Sequence, residues 1–307
     1  LSQGKGGKRG RRPSKKARMT RWQTLLGAGL LLLGAVGIGM FSAPHRPTVG
    51  GPIVETRATP PHQRPIPFEE HPPPPLNPPV VSRPYDGPPR LAVVIDDMGQ
   101  LDPLDRRVVA LPGVVTCSIL PYAPHADTIA RLAHDSGKPV FAHMPMEAVS
   151  GSTKTGPGTL YHTMDRQTLI QAVDAALDRV PGVEGVNNHM GSLLTADLDA
   201  MQVVMEALAR RRVGFLDSRT TAQTVAQAQA QSHGIPNTKR DVFLDNEPDE
   251  IAIAIALRHA VDLARKRGYA VAIGHPHVET VAVLERLLPE IKAEGVSLVS
   301  ATDVMSR

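Results

Sequence analysis

From residue 91 to the C-terminus, short unbroken apolar runs alternate with longer stretches in which apolar residues recur every three or four positions. The first run, Leu91-Ala92-Val93-Val94-Ile95, has three β-branched residues and ends in two adjacent acids, Asp96-Asp97. Runs of this length suit strands buried on both faces, as in a parallel sheet wrapped by helices. The pattern predicts strands over 91–96, 114–120, 139–143, 183–187, 213–217, 239–244, 269–274 and 296–300. It predicts helices near 102–110, 126–136, 165–179, 197–211, 219–232, 249–267 and 278–292. The alternating stretch 251–257 would also pass for a strand. Asp249-Glu250 before it and the basic run 258–267 after it match the dipole of a helix instead. Repeated βα units imply a parallel α/β fold, open or closed into a barrel. The roughly 217 residues from 91 to 307 fit one compact barrel of seven or eight strands.

Upstream the pattern changes twice. Residues 42–90 hold sixteen of the 29 prolines and no periodic apolar face. This segment reads as a disordered, partly polyproline II linker. Residues 22–41 are apolar apart from Gln23, Thr24 and glycines, and twenty residues at about 1.5 Å each span a bilayer core of roughly 30 Å. Residues 1–21 carry nine basic residues and no acid. Positive charge on that side alone predicts a cytoplasmic tail at 1–21 and a transmembrane signal anchor at 22–41. The 91–307 domain would then be exported to the periplasm from a single-pass inner-membrane protein. A cleaved signal peptide, with Ser42-Ala43 as its small-residue site, is the rival reading.

Charge looks different once the tail is set aside. The whole chain is +4, and without residues 1–21 everything else is near −5. A nucleic-acid partner is therefore not expected for the folded part. The one cysteine, Cys117, lies in an apolar run and reads as core. Five Phe, four Tyr and one Trp are few for a protein that stacks sugar rings on aromatic platforms.

Polar residues cluster at the predicted strand ends: Asp96-Asp97, Tyr122 to His125, His143 to Glu147 and Asn187-Asn188-His189, then Asp217-Ser218, Asp245-Asn246 and His275-Pro276-His277. In parallel α/β folds those ends converge on one face, where active sites sit. Two neighbouring carboxylates raise at least one pKa unless a cation neutralises them. A metal ion would do so, leaving one acid as ligand and the other as base. One of the two could instead cap the next helix. Asp, His and His suit a divalent ion of borderline hardness, zinc first. Neither a phosphate-binding Gly-rich loop nor a Gly-x-Ser-x-Gly elbow is present. Thr116-Cys117-Ser118 falls within a strand and is discounted as a nucleophile.

Six stretches carry a family resemblance: Asp96-Asp97, residues 137–147 through His143 and Glu147, 187–192 with Asn188 and His189, 215–218 with Asp217, 240–245 with Asp245, and 273–277 with His275 and His277. In order and spacing they resemble the divergent polysaccharide deacetylase family over essentially all of 91–307. That resemblance implies a distorted (β/α) barrel of about seven strands that removes N-acetyl groups. It implies Asp96 as base, Asp97 as metal ligand, His143 and His189 as further ligands, and His275 as the general acid. Glu147, Asn188, Asp217, Asp245 and His277 are accessory candidates. The family's His-x-x-x-His has Glu147 in its second position here. An Arg-Pro-Pro-Tyr-like loop is replaced by Asn187-Asn188-His189-Met190, which removes an arginine that orients the base. The expected function is a membrane-tethered, metal-dependent deacetylase of cell-envelope glycan, with peptidoglycan as the reachable polymer. The alternative is a non-catalytic envelope protein that uses the same barrel to bind glycan or a protein partner.

Overall fold

The computed structural model describes residues 87–306 apart from 101 and 150–154. The chain enters β1 (Arg90–Met98), then α1 (Asp102–Val109), β2 (Thr116–Ile119), α2 (Ala126–Asp135) and β3 (Val140–Met146). It continues through α3 (Arg166–Leu177), β4 (Val183–Met190), α4 (Leu198–Arg211), β5 (Gly214–Asp217) and α5 (Ala226–Ser232). After β6 (Asn237–Lys239) and β7 (Val242–Phe243) come α6 (Glu250–Arg267), β8 (Tyr269–Gly274), α7 (Val278–Ala293) and β9 (Ser297–Val299). The strands form one curled sheet in the order β6-β5-β4-β3-β2-β1-β8-β7, with β9 on β1. Its strand pairings are all parallel.

The barrel of about seven strands is corrected to a curled half-barrel of eight, with β9 as an extra. The expected strand 239–244 is the reason. Its chain changes partner midway: Arg240 N–H donates to the Asp217 carbonyl, and Asp241 N–H to the Val271 carbonyl. One extended segment thus yields two short strands at opposite ends of the sheet. The stretch 251–257 is helical, and Asp249 caps α6 by accepting from the Ile251 and Ala252 N–H groups. The helix expected from 219 starts only at Ala226. The intervening residues form a loop held by Asp217, which accepts from Arg219 N–H and Thr224 Oγ1.

Strand parity decides what the sheet encloses. Leu91, Val93 and Ile95 pack under the helices, with Cys117, Ala142 and Val186 in the same cluster. Alternate positions make a separate apolar plug of Ala92, Val94, Phe141, Leu216, Val271 and Ile273, sealed by Ala301 and Val304. Two residues further along each strand, that inner parity reaches Asp96, His143, Ser218 and His275. The plug is filled tightly. A Cβ on Gly185 would stand 2.5 Å from the buried Phe141 ring. Gly185→Ala should cost about 1–3 kcal/mol through overpacking, read as a lower denaturant midpoint with an unchanged m-value.

Among the described residues no helix is long and apolar enough to cross a membrane. The longest, α6, has 18 residues and carries Glu250, Arg258, Asp262, Arg265, Lys266 and Arg267. The anchor expected over 22–41 lies outside the described residues, as do the tail 1–21 and nearly all of the linker 42–90. With no spanning helix to support it, the membrane tether is withdrawn. The single-pass inner-membrane topology, the periplasmic placement and the membrane as a partner go with it.

Candidate metal centre

The C-terminal end of β1 is irregular. Its pairing with β2 slips between Ile95 and Met98. Asp97 adopts φ 56°, a left-handed conformation that costs a non-glycine residue energy. Ordinary alternation would send two neighbouring side chains to opposite faces. The irregularity instead brings both carboxylates to the mouth of the sheet. Met190, just after His189, and Arg219, just after β5, have φ 54° and 50°. Backbone strain thus collects where three strands end.

Three ligand atoms meet there. Asp97 Oδ1 lies 3.2 Å from His143 Nε2 and 2.8 Å from His189 Nδ1. The two ring nitrogens are 3.2 Å apart. Ligands on a tetrahedral ion with bonds of ~2.0–2.1 Å stand roughly 3.3 Å from one another, so this triangle is slightly contracted around a cation-sized point. Asp97 Oδ1 is buried and has no hydrogen-bond partner of acceptable geometry, although two nitrogens touch it. An orphaned buried carboxylate oxygen beside two imidazoles fits a divalent metal. Asp97, His143 and His189 form one group of side chains that could hold a metal ion, and Asp245, His275 and His277 form a second.

One amide organises the surroundings. Asn187 Oδ1 accepts from His143 Nδ1 at 3.0 Å and from Ser118 Oγ at 2.6 Å. That fixes the tautomer of a neutral His143 and presents its Nε2 lone pair to the cluster. Asn187 Nδ2 donates to Asp96 Oδ1 at 2.8 Å. The other Asp96 oxygen, Oδ2, stands 3.7 Å from His143 Nε2, with Asp96 only 3% exposed. Across the mouth, Asp245 is saturated by His275. Its Oδ1 accepts from His275 Nδ1 at 3.0 Å, and its Oδ2 accepts from His275 N–H at 2.6 Å and Thr280 Oγ1 at 2.8 Å. His275 Nε2 therefore faces the cleft, 4.0 Å from Asp97 Oδ2.

Charge follows geometry. Burial pushes the Asp97 carboxyl up, but His143 and His189 outweigh it and hold it well below the usual carboxylate range. Burial lowers the pKa of His143, while Asp96 and Asp97 raise it further than burial takes away. For His275 burial again lowers, and the Asp245 bond together with Asp96 and Asp97 pushes it up to about 9. Cys117 is driven by burial to about 12 and stays an inert thiol.

The sequence-predicted residues divide into two groups. Asp96, Asp97, His143, His189 and His275 line one cleft of about 380 Å³, and Asn188 reaches its wall. Asn188 braces the loop after β5, accepting from Ser218 N–H and donating to the Met190 carbonyl. Asp217 holds the same loop, and Asp245 orients His275. His277 precedes α7 without capping it. Glu147 lies outside the ligand cluster, its carboxylate taken by His162 N–H at 3.0 Å and His162 Nδ1 at 2.6 Å. Ser118, Asn187, Arg219 and Arg240 were not singled out as site residues. Parity was the available signal for two of them: Ser118 lies between core residues Cys117 and Ile119, and Asn187 follows core residue Val186.

A half-barrel of parallel strands with an Asp-His-His cluster at its C-terminal mouth defines a class of metal-site α/β proteins. The chain belongs to the divergent polysaccharide deacetylase family, which matches residues 93–305. It is 39% identical to the protein YibQ of Escherichia coli (strain K12) over 217 residues, covering 71% of this chain and 67% of that one. A protein of Haemophilus influenzae (strain ATCC 51907 / DSM 11121 / KW20 / Rd) is 38% identical over 204 residues, 66% of this chain and 72% of that one. Among solved structures, ATU2773 from Agrobacterium tumefaciens C58 shares the fold with a TM-score of 0.69 at 23% identity, covering 71% of this chain and 89% of that one. Family and ligand cluster together support a metal-dependent hydrolase.

Proposed function

We propose that the protein is a zinc-dependent deacetylase of N-acetylated polysaccharide. One observation carries this: the Asp97–His143–His189 cluster stands between an unengaged oxygen of Asp96 and a cleft-facing His275 nitrogen. Three protein ligands leave a coordination position open, as catalytic zinc sites do. A zinc ion held there would polarise the acetamide carbonyl and acidify water. The residues do the rest. Asp96 Oδ1 is tied to Asn187, so Oδ2 is the oxygen that accepts the proton of the attacking water. His275 gives its Nδ1 proton to Asp245 as a hydrogen bond and carries the Nε2 proton to the leaving amine. Beside Asp97 and His189, a pocket of about 210 Å³ lined by Leu120, Ala123 and Pro145 can take the acetyl methyl. The intact base and acid favour catalysis over the non-catalytic alternative.

The test is metal analysis of the purified protein, then acetate release from acetylated chitooligosaccharides and peptidoglycan. One zinc per chain and metal-dependent acetate release are expected. His275 acts in its protonated form, so the rate should fall as pH rises through its pKa. That limb lies at or below about pH 9, because a bound dication lowers the pKa of a nearby imidazole. The limb should disappear in His275→Ala. Stoichiometric metal without acetate release from either glycan would sink the deacetylase reading.

A further inference from the structure

The pocket of about 210 Å³ beside the ligand cluster is too large for the task given to it so far. Deacetylation would put one methyl group there. At roughly 30 Å³ for a group the size of a water molecule, the pocket has room for several. The sheet order says which part of a substrate enters it. Neighbouring strands run β2-β1-β8, so Asp96 and Asp97 stand between the turn after β2 and His275 after β8. The cleft with His275 and the pocket with Leu120, Tyr122 and Ala123 share Asp97 and His189. His275 serves the leaving amine, which therefore lies on the β8 side. Amine and acyl chain leave the carbonyl carbon in different directions, which puts the chain on the β2 side.

The pocket walls are held in place. Leu160 pins the 155–160 loop to β3: its N–H donates to the Pro145 carbonyl at 2.8 Å, and its carbonyl accepts from Glu147 N–H at 3.0 Å. A Cβ on Gly158 would stand 2.0 Å from the Tyr122 ring, so the loop lies directly on that ring and only glycine fits there, at φ 75°. Arg179 steadies the same ring, its guanidinium 4.6 Å from the centroid and its Nε bonded to the Pro121 carbonyl. The lining suits an alkyl chain better than a sugar. Thr155 Oγ1 is already paired with Thr159 Oγ1 at 2.6 Å, and the side chains of Leu120, Ala123, Pro145 and Pro157 offer no hydrogen bonds. An alkyl chain needs none and gains by leaving water.

We infer that this pocket takes acyl chains longer than acetyl, straight chains of about four to six carbons. N-acyl amines beyond acetamides then fall within reach of the same metal centre. The direction of the chain rests on the deacetylase reading, whereas its length is a matter of binding alone.

The experiment measures binding of straight-chain hydroxamic acids, from acetohydroxamic to octanohydroxamic acid, to the zinc-loaded full chain. The zinc-chelating group is constant, so differences across the series report the chain. Affinity should rise about tenfold from the two-carbon to the four-carbon member, since a fully buried methylene is worth about fourfold, and should level off near six carbons. In Leu120→Trp, with zinc content unchanged, the indole fills the pocket and the rise should vanish. A flat or falling series in the wild type overturns the inference whatever the variant does, and so does a rise that survives in a folded Leu120→Trp. Acetate release together with a flat series keeps the deacetylase reading and removes only the longer chains. A rise without acid release from N-acetyl, N-butyryl or N-hexanoyl chitooligosaccharides supports the acyl pocket and removes the hydrolase.

Discussion

His189→Ala is expected to weaken divalent-metal binding about a hundredfold or more, leaving the fold intact and occupancy far below one ion per chain at micromolar metal. Changes in outer-shell partners alone cost about 10–100-fold. His189 sits within the triangle itself, 2.8 Å from Asp97 Oδ1 and 3.2 Å from His143 Nε2. Its loss leaves one carboxylate and one imidazole. The side chain stands at a strand end rather than in either apolar cluster, so its removal should cost little stability. Metal content after dialysis reads the first claim and a denaturant midpoint the second. The pH dependence of the wild-type site has a definite sign. His143 has a raised pKa in the metal-free fold, so protons compete with the ion, and occupancy falls as pH drops through that pKa. In the metal-free protein, protonated His143 adds stability that is complete below the ordinary imidazole pKa. That stability is lost as pH rises through the raised value. Asp97 works the other way, adding stability above the ordinary carboxylate pKa that is lost as pH falls through its lowered one. Full occupancy in His189→Ala would move the ligand set to His275 or His277.

Much of this site can be read in the chain because parallel strands report on it twice. An apolar run marks a buried strand, and the polar residue that ends it marks the mouth. Asp96, His143 and His275 continue the inward parity of Val94, Phe141 and Ile273, so their convergence follows from the pattern. The same rule hides residues that interrupt an apolar run. Ser118 looks like a filler within a strand, yet its hydroxyl reaches the amide that holds both His143 and Asp96. Arg219 falls in a stretch with helical spacing that does not become helix until Ala226. There the hydrogen bonds of Asp217, and those of Arg240 to the Ser218 and Arg219 carbonyls, outweigh local propensity. Glu147 stands where the family's spacing puts a ligand, but the chain brings His162 back onto it across fifteen residues. Spacing cannot show such a contact. Nor does it show that Asn188, beside Asn187 in sequence, faces the opposite way and braces a loop.

Asp96→Asn separates chemistry from metal binding. Asn187 Nδ2 donates to Asp96 Oδ1, and an amide oxygen at that position keeps this bond. The NH2 group then replaces Oδ2, the oxygen nearest His143 Nε2 at 3.7 Å. An amide NH2 cannot accept the proton of an attacking water, so turnover should fall by about 10²–10⁴. Asp97, His143 and His189 are untouched, so zinc content should stay at the wild-type level. The substitution is nearly isosteric at a position only 3% exposed. It also removes one negative charge that raises the pKa of both His143 and His275. Residual activity should therefore lose its alkaline limb at a lower pH than the wild type. Two measurements settle the assignment, zinc per chain and acetate release as a function of pH. Turnover within a few-fold of wild type would remove Asp96 as the base. Loss of zinc with the fold intact would make it a ligand, and the remaining carboxylate, Asp97 Oδ2, 4.0 Å from His275 Nε2, would then be the group to test as base.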